Sequence, residues 1–147
     1  MKLIAVFMML SLAACSDGPV SLVNEGDIVG DAVPAPLTDS VASIEEGRGI
    51  FVERDRGHCI LCHQVDGLDA PFQGSVGPDL TGLGARLTPG QIRLRLVDAS
   101  RLNVDTVMPP YYRVHGMNQV AKEQAGKPVL TALEIEHLVA YLRSLEG

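Results

Sequence analysis

The sequence contains no tryptophan, and phenylalanine and tyrosine bring the aromatic share to only 4% of its 147 residues. Twelve Lys and Arg stand against eighteen Asp and Glu, for a net charge of −6, and no basic run occurs. A nucleic-acid binder needs positive surface to neutralise phosphates, so this function is excluded. Hydrophobic residues make up 46% of the chain, which excludes wholesale disorder. With so few rings, the core must be filled by aliphatic side chains or by a group that is not an amino acid.

The first fifteen residues have the pattern of a bacterial export signal. Lys2 is followed by an apolar run that is too short to cross a bilayer, which takes about 20 residues. Small residues then lead to Cys15 in Leu-Ala-Ala-Cys, which is similar to a lipoprotein signal. We expect residues 1–14 to be removed and Cys15 to become a lipidated first residue. The alternative is cleavage nearby to a soluble protein, and both predict a periplasmic location.

Residues 15–40 mix glycine, proline and isolated aliphatic residues without a helical period. They form either a flexible tether or an extended arm whose apolar side chains lie on the domain or on a partner. These side chains are Ile28, Val29, Val33 and Leu37. The remainder, residues 41–147, has the length of a single domain.

Residues 59–63 read Cys-Ile-Leu-Cys-His, the pattern of a c-type haem attachment site. In such a site Cys59 and Cys62 each form a thioether with a haem vinyl group, and His63 ligates the iron. A redox-active Cys-x-x-Cys would not require the histidine, and zinc would require a second pair of ligands. A disulfide between these cysteines would close a loop too small to stabilise much. The motif therefore predicts one covalent haem c.

Met108 is the candidate for the second axial iron ligand. Pro109 and Pro110 follow it, and they hold the methionine on a stiff, extended loop. Met117 and His115 are rivals on a less restricted segment, and packing in the core is the usual alternative for a methionine. A His/Met pair would raise the reduction potential, because the soft thioether favours ferrous iron.

His63 also needs a partner for its second ring nitrogen. Pro78 lies fifteen residues downstream, where a loop can return beneath the ring, and Gly77 permits close approach. An ordinary surface turn explains this pair equally well. Arg86 is either a partner for a haem propionate or a solvated surface side chain.

The sequence predicts an all-α domain with long loops at 64–87 and 99–130. A short helix over 43–52 carries two glycines, which close packing would explain, and its spacing puts Ile44, Gly47, Ile50 and Phe51 toward one side. Thr88 and Thr131 each begin a capping box, with Gln or Glu three residues later. The helix after Thr131 has an apolar stripe at helical spacing, formed by Ile135, Leu138, Val139, Leu142 and Leu145.

These features together resemble class I cytochromes c. The resemblance implies a helix with Gly47 and Phe51 that crosses a C-terminal helix bearing Tyr141. It narrows to the SoxX family, the monohaem subunits of bacterial sulfur-oxidising SoxAX cytochromes. The segments that resemble SoxX are residues 30–38, 71–80, 94–103, 106–112 and 126–131.

The SoxX resemblance implies a heterodimer with a SoxA subunit, which carries the active-site cysteine. That complex joins thiosulfate oxidatively to a cysteine of the SoxYZ carrier and passes two electrons to cytochrome c. SoxX would supply the electron-transfer haem, and Lys127, Tyr111 and Tyr112 are candidates for the partner surface. The lipoprotein signal departs from the family's usual soluble complex. A free-standing electron shuttle and a gas-binding haem sensor are the competing classes.

Overall fold

The computed structural model describes residues 22–146, so Cys15 and the export segment lie outside the described residues. Four α-helices form the scaffold: α1 (Ile44–Val52), α2 (Leu83–Arg86), α3 (Pro89–Asp98) and α4 (Ala132–Ser144). Four single turns of 3-10 helix add Glu25–Asp27, Cys59–Leu61, Ala99–Arg101 and Lys122–Gln124. Between residues 22 and 146 the β-pairing is limited to one isolated bridge, so the all-α prediction is confirmed.

No helix within residues 22–146 is long and apolar enough to span a membrane.

The helix starts follow from local capping. Thr88 and Thr131 each accept a hydrogen bond from the backbone N–H three residues on, at 3.3 Å in both cases. In turn, the backbone N–H groups of Thr88 and Thr131 donate to the side-chain oxygens of Gln91 and Glu134, at 2.9 and 2.8 Å. Each capping box satisfies two backbone groups that the first turn leaves without intrahelical partners. These two starts agree with the sequence prediction.

α1 and α4 cross in close contact at Gly47. A Cβ atom at this position would lie 2.0 Å from the backbone oxygen of His137, so only glycine fits. Phe51, one turn on, packs against Tyr141 with the ring centroids 5.5 Å apart. Ile44, in the first turn of α1, lies away from this crossing and is 53% exposed, although the helical spacing predicted an inward position.

The arm, residues 28–38, lies against α3 and α4. Val33 is only 2% exposed, and its N–H donates to the Gly90 carbonyl at 3.0 Å. Beneath it, Arg93 of α3 donates to both carboxylate oxygens of Glu136 on α4, at 2.6 and 2.8 Å. The same two side chains bind the Val33 carbonyl and the Leu37 N–H, at 2.6 and 2.9 Å. This buried ion pair therefore joins two helices and the arm.

Candidate haem site

The five residues of the Cys-x-x-Cys-His motif form one tight turn. His58, just before it, adopts a left-handed conformation with φ of 49°, and the chain then enters the 3-10 turn Cys59–Leu61. The N–H groups of Cys62 and His63 both donate to the Cys59 carbonyl, at 3.1 and 2.9 Å. Both cysteines are free thiols. The turn thus holds two thiols and an imidazole in one compact group, as covalent haem attachment requires.

The two thiols have different surroundings. Cys59 is 8% exposed and belongs to the hydrophobic core, whereas Cys62 is half-buried. Burial raises the pKa of the Cys59 thiol to about 12, because the thiolate would lose its hydration. The Cys59 thiol is therefore protonated at neutral pH.

The His63 ring is held by backbone on one side. Its Nδ1 lies 2.8 Å from the Pro78 carbonyl oxygen, in the contact that the spacing suggested. A Cβ atom at Gly77 would lie 2.4 Å from Cε1 of the ring, so glycine is required for the loop to pass this close. An imidazole that donates from Nδ1 keeps the lone pair of Nε2 available for a metal.

A strap formed by residues 73–78 runs beside the attachment turn. The N–H groups of Gly74 and Gly77 donate to the carbonyls of Ile60 and Cys62, each at 2.8 Å. The Gln73 side chain accepts a hydrogen bond from the Val65 N–H at 2.7 Å, which fixes the start of the strap. Pro78 is therefore positioned by a series of backbone contacts with the turn that bears His63.

Arg86 organises the loop that follows Pro78. Its guanidinium donates to the carbonyls of Thr81 and Asp79, at 2.6 and 3.3 Å. The sequence left a propionate contact and a solvated side chain as equal alternatives for Arg86. In the structure it is a loop-bridging residue on the His63 side of the site.

Met108 packs against the same hydrophobic core that contains Cys59. The side chain is half-buried, and the Met108 N–H donates to Thr106 at 3.2 Å. The rivals are placed differently, because the Met117 sulfur accepts from Arg113 at 3.8 Å and His115 is exposed. Of the three candidates, Met108 is therefore the one that packs against the hydrophobic core to which Cys59 also belongs.

Tyr111 and Tyr112 are only 8% and 2% exposed, so the suggestion that they form a partner surface is wrong. The Tyr111 hydroxyl donates to the Gly57 carbonyl at 2.9 Å, next to the attachment turn. Lys127 is exposed, in agreement with a surface role. Sequence reasoning missed the inward position of the tyrosines, although aromatic residues directly after Met-Pro-Pro in a chain with few rings could have suggested it.

These residues fit a covalently bound haem c. Two free thiols and an imidazole with an available Nε2 share one turn, and a thioether lies on the same core. Partly buried aliphatic side chains line that core and suit an apolar macrocycle, namely Ile60, Leu68, Leu83 and Leu87. Soft sulfur and imidazole donors are the usual protein ligands of haem iron.

Comparison with known proteins agrees with this fit. A family model described as cytochrome c matches residues 44–146. The chain is similar to a chain of the crystal structure of SoxXA from P. pantotrophus, with 34% identity and a TM-score of 0.77. That match covers 90% of this chain and 100% of the other.

A second solved structure is the c-type cytochrome SorU from Sinorhizobium meliloti. It is 27% identical with a TM-score of 0.46, over 71% of this chain and 91% of that one. No curated protein sequence matches the chain significantly. The family model spans well over half of the sequence, and the SoxXA match covers nearly all of it. The chain therefore belongs to the cytochrome c family and is a SoxX-like cytochrome.

Proposed function

We propose that this cytochrome is the electron-transfer haem subunit of a SoxAX-type L-cysteine S-thiosulfotransferase. The observation that carries the proposal is the match to the SoxXA structure, which covers 90% of this chain. That coverage is more than residues 41–147 can supply, so the similarity extends into the arm as well as the cytochrome c domain. A match restricted to the domain would support electron transfer alone. The longer match supports an assembly of this chain with a SoxA-like subunit.

We assign the haem contacts to four residues of this chain. Cys59 and Cys62 would form the two thioethers to haem, and His63, through Nε2, and Met108 would bind its iron. The bound haem contributes a reversible one-electron ferric/ferrous couple. Pro78 keeps Nδ1 of His63 engaged, and this fixes the ring orientation and the tautomer. The Met108 sulfur favours the ferrous state and so raises the potential.

In the proposed reaction, the outer sulfur of thiosulfate forms an S–S bond with the carrier cysteine of SoxYZ. The thiol proton and two electrons leave, and two oxidised cytochrome c molecules accept one electron each. Both cysteines between residues 22 and 146 lie in the attachment turn, so this part of the chain has no other thiol for sulfur chemistry. We therefore assign the active-site cysteine to a SoxA-like partner, as the resemblance to SoxX implies, and electron relay to this chain.

The export signal and Cys15 support a place in the periplasm, with a lipid tether to the membrane. The arm contacts the domain from Leu22 and Val23 onward, so the tether would be shorter than residues 15–40.

Co-expression with a SoxA-like subunit in a host competent for cytochrome maturation tests the assembly. We expect a one-to-one heterodimer by gel filtration, and reduction of an acceptor cytochrome c that requires both thiosulfate and SoxYZ. A Met108→Ala complex is the matched control, because it retains the thioethers and should reduce the acceptor more slowly. If the chain stays monomeric in the presence of the SoxA-like subunit and reduces the acceptor without it, the protein is a free-standing electron shuttle instead.

A further inference from the structure

Tyr111 is a buried residue that follows the Met108 loop and contacts the backbone just before the attachment turn. It follows Met108 by three residues, across Pro109 and Pro110, which restrict the intervening backbone. Its own backbone is fixed, since its N–H donates to the Leu96 carbonyl at 3.1 Å and its carbonyl accepts from Leu130 at 3.0 Å. Movement of the Met108 loop is therefore limited at its C-terminal end by the position of Tyr111.

The Tyr111 hydroxyl reaches the opposite segment of the site. It donates to the Gly57 carbonyl at 2.9 Å. The turn at Gly57 is tight, because a Cβ atom there would lie 2.7 Å from the Ile50 carbonyl and 3.1 Å from the Cys59 sulfur. The hydroxyl therefore contacts a tightly packed segment directly before the attachment turn, and this segment has little freedom to move.

The hydrogen bond between Tyr111 and Gly57 is buried, so its loss could not be compensated by water. Desolvation raises the pKa of Tyr111, so the hydroxyl is a neutral donor across the physiological range. The aromatic ring alone could fill the space, but without the hydroxyl the buried Gly57 carbonyl would lose its partner. The contact spans 54 residues of sequence and joins the loop of Met108 to the turn of Cys59.

We propose that Tyr111 is a positioning residue whose hydroxyl fixes the Met108 loop against the attachment turn, and so keeps the thioether at the iron. This rests on the ligand assignment in the proposed function. Without the hydroxyl, the thioethers to Cys59 and Cys62 remain, but Met108 leaves the iron more readily. An exogenous ligand then competes more successfully for the same coordination position.

The test is a titration of the ferric holoprotein with imidazole. We expect Tyr111→Phe to keep its haem and its helical content, and to bind imidazole about fivefold more tightly than the wild type. Tyr141→Phe is the matched control, since it removes a hydroxyl from another buried tyrosine at the α1–α4 crossing. Its imidazole affinity should equal that of the wild type.

The same titration of Met108→Ala distinguishes the positioning role of Tyr111 from the assignment of Met108 as an iron ligand. If Met108→Ala tightens imidazole binding and Tyr111→Phe does not, the role of Tyr111 is overturned and the ligand assignment stands. If Met108→Ala leaves the affinity unchanged, Met108 is not the ligand and both assignments fail. Equal changes in Tyr111→Phe and Tyr141→Phe, or loss of haem from Tyr111→Phe alone, would also contradict the positioning role.

Discussion

At the scale of single residues, His63 is oriented by backbone and not by an ionisable side chain. The Pro78 carbonyl that faces Nδ1 does not titrate, and its own residue has no N–H to compete for partners. A carboxylate in this place would add charge and lose its effect in acid. Because the partner is a carbonyl, the ring orientation should persist across the pH range in which the protein stays folded.

Met108→Ala is expected to leave haem covalently attached and to lower the reduction potential by on the order of 0.1 V. The physical reason is the loss of the soft thioether, which favours ferrous iron. Potentiometry gives the shift, and the ferric spectrum should lose its red-end Met–iron charge-transfer band.

Met117→Ala is the control for this prediction, because the Met117 sulfur pairs with Arg113. We expect its potential and its charge-transfer band to match those of the wild type. A charge-transfer band that survives in Met108→Ala and disappears in Met117→Ala would reverse the assignment.

Sequence reasoning works best for the residues of the site when their chemistry depends on short spacing. The motif at 59–63 could be predicted because covalent geometry limits how such a segment folds, whereas the return of Pro78 beneath His63 was one of two equal alternatives, and the structure shows the contact. The inward position of Tyr111 could not be predicted, since its hydroxyl partner, Gly57, is 54 residues away in sequence. Arg86 was ambiguous for a different reason: its partners, the Thr81 and Asp79 carbonyls, are only five and seven residues away, but every residue has a backbone carbonyl and so the sequence does not single these two out.

At the scale of elements, the α1–α4 crossing requires a glycine at position 47, whereas position 49 of the same helix has room for a Cβ atom. Gly47→Ala would place a methyl group 2.0 Å from the His137 oxygen, and we expect it to destabilise the holoprotein by about 1–3 kcal/mol or more. Gly49→Ala, two residues on, has no neighbour closer than 3.6 Å and should stabilise α1 by about 0.5–1 kcal/mol. Urea unfolding measures both, and equal effects would contradict the close crossing.

The starts of α3 and α4 could be predicted because capping depends on neighbouring residues. The Arg93–Glu136 contact joins distant parts of the sequence and could not be predicted in this way. On single helices, isolated charged residues are normally expected on solvated faces. Here the pairing partner lies 43 residues away, and the arm covers both side chains. Periodicity alone gives no information about such a long-range partner.

Glu136→Leu should destabilise the protein by about 3–5 kcal/mol, because it leaves the buried Arg93 charge without its carboxylate partner. The double variant Arg93→Met/Glu136→Leu should recover most of that loss, since it removes both buried charges. Urea unfolding of the three proteins gives the comparison. A double variant as unstable as the single one would show that the arm contacts, and not the ion pair, dominate.

At the scale of the whole molecule, the described part of the arm packs against the domain, and we propose that residues 1–14 direct the export of this protein. Cys15→Ser should release the mature protein from the membrane fraction into the soluble periplasm, because a serine cannot carry the lipid. Fractionation of the producing cells, with haem absorbance as the tracer, measures this. A wild-type protein that is already soluble would show that the signal is cleaved without lipidation.

The central claim is that one haem c is bound through both thiols of the turn at Cys59 and Cys62. Intact mass spectrometry of the mature protein, produced with cytochrome maturation functions, tests it most directly. We predict a chain heavier by one haem, with no thiol at either position open to alkylation under denaturing conditions. A colourless chain at its bare polypeptide mass, with both thiols alkylated, would contradict the account.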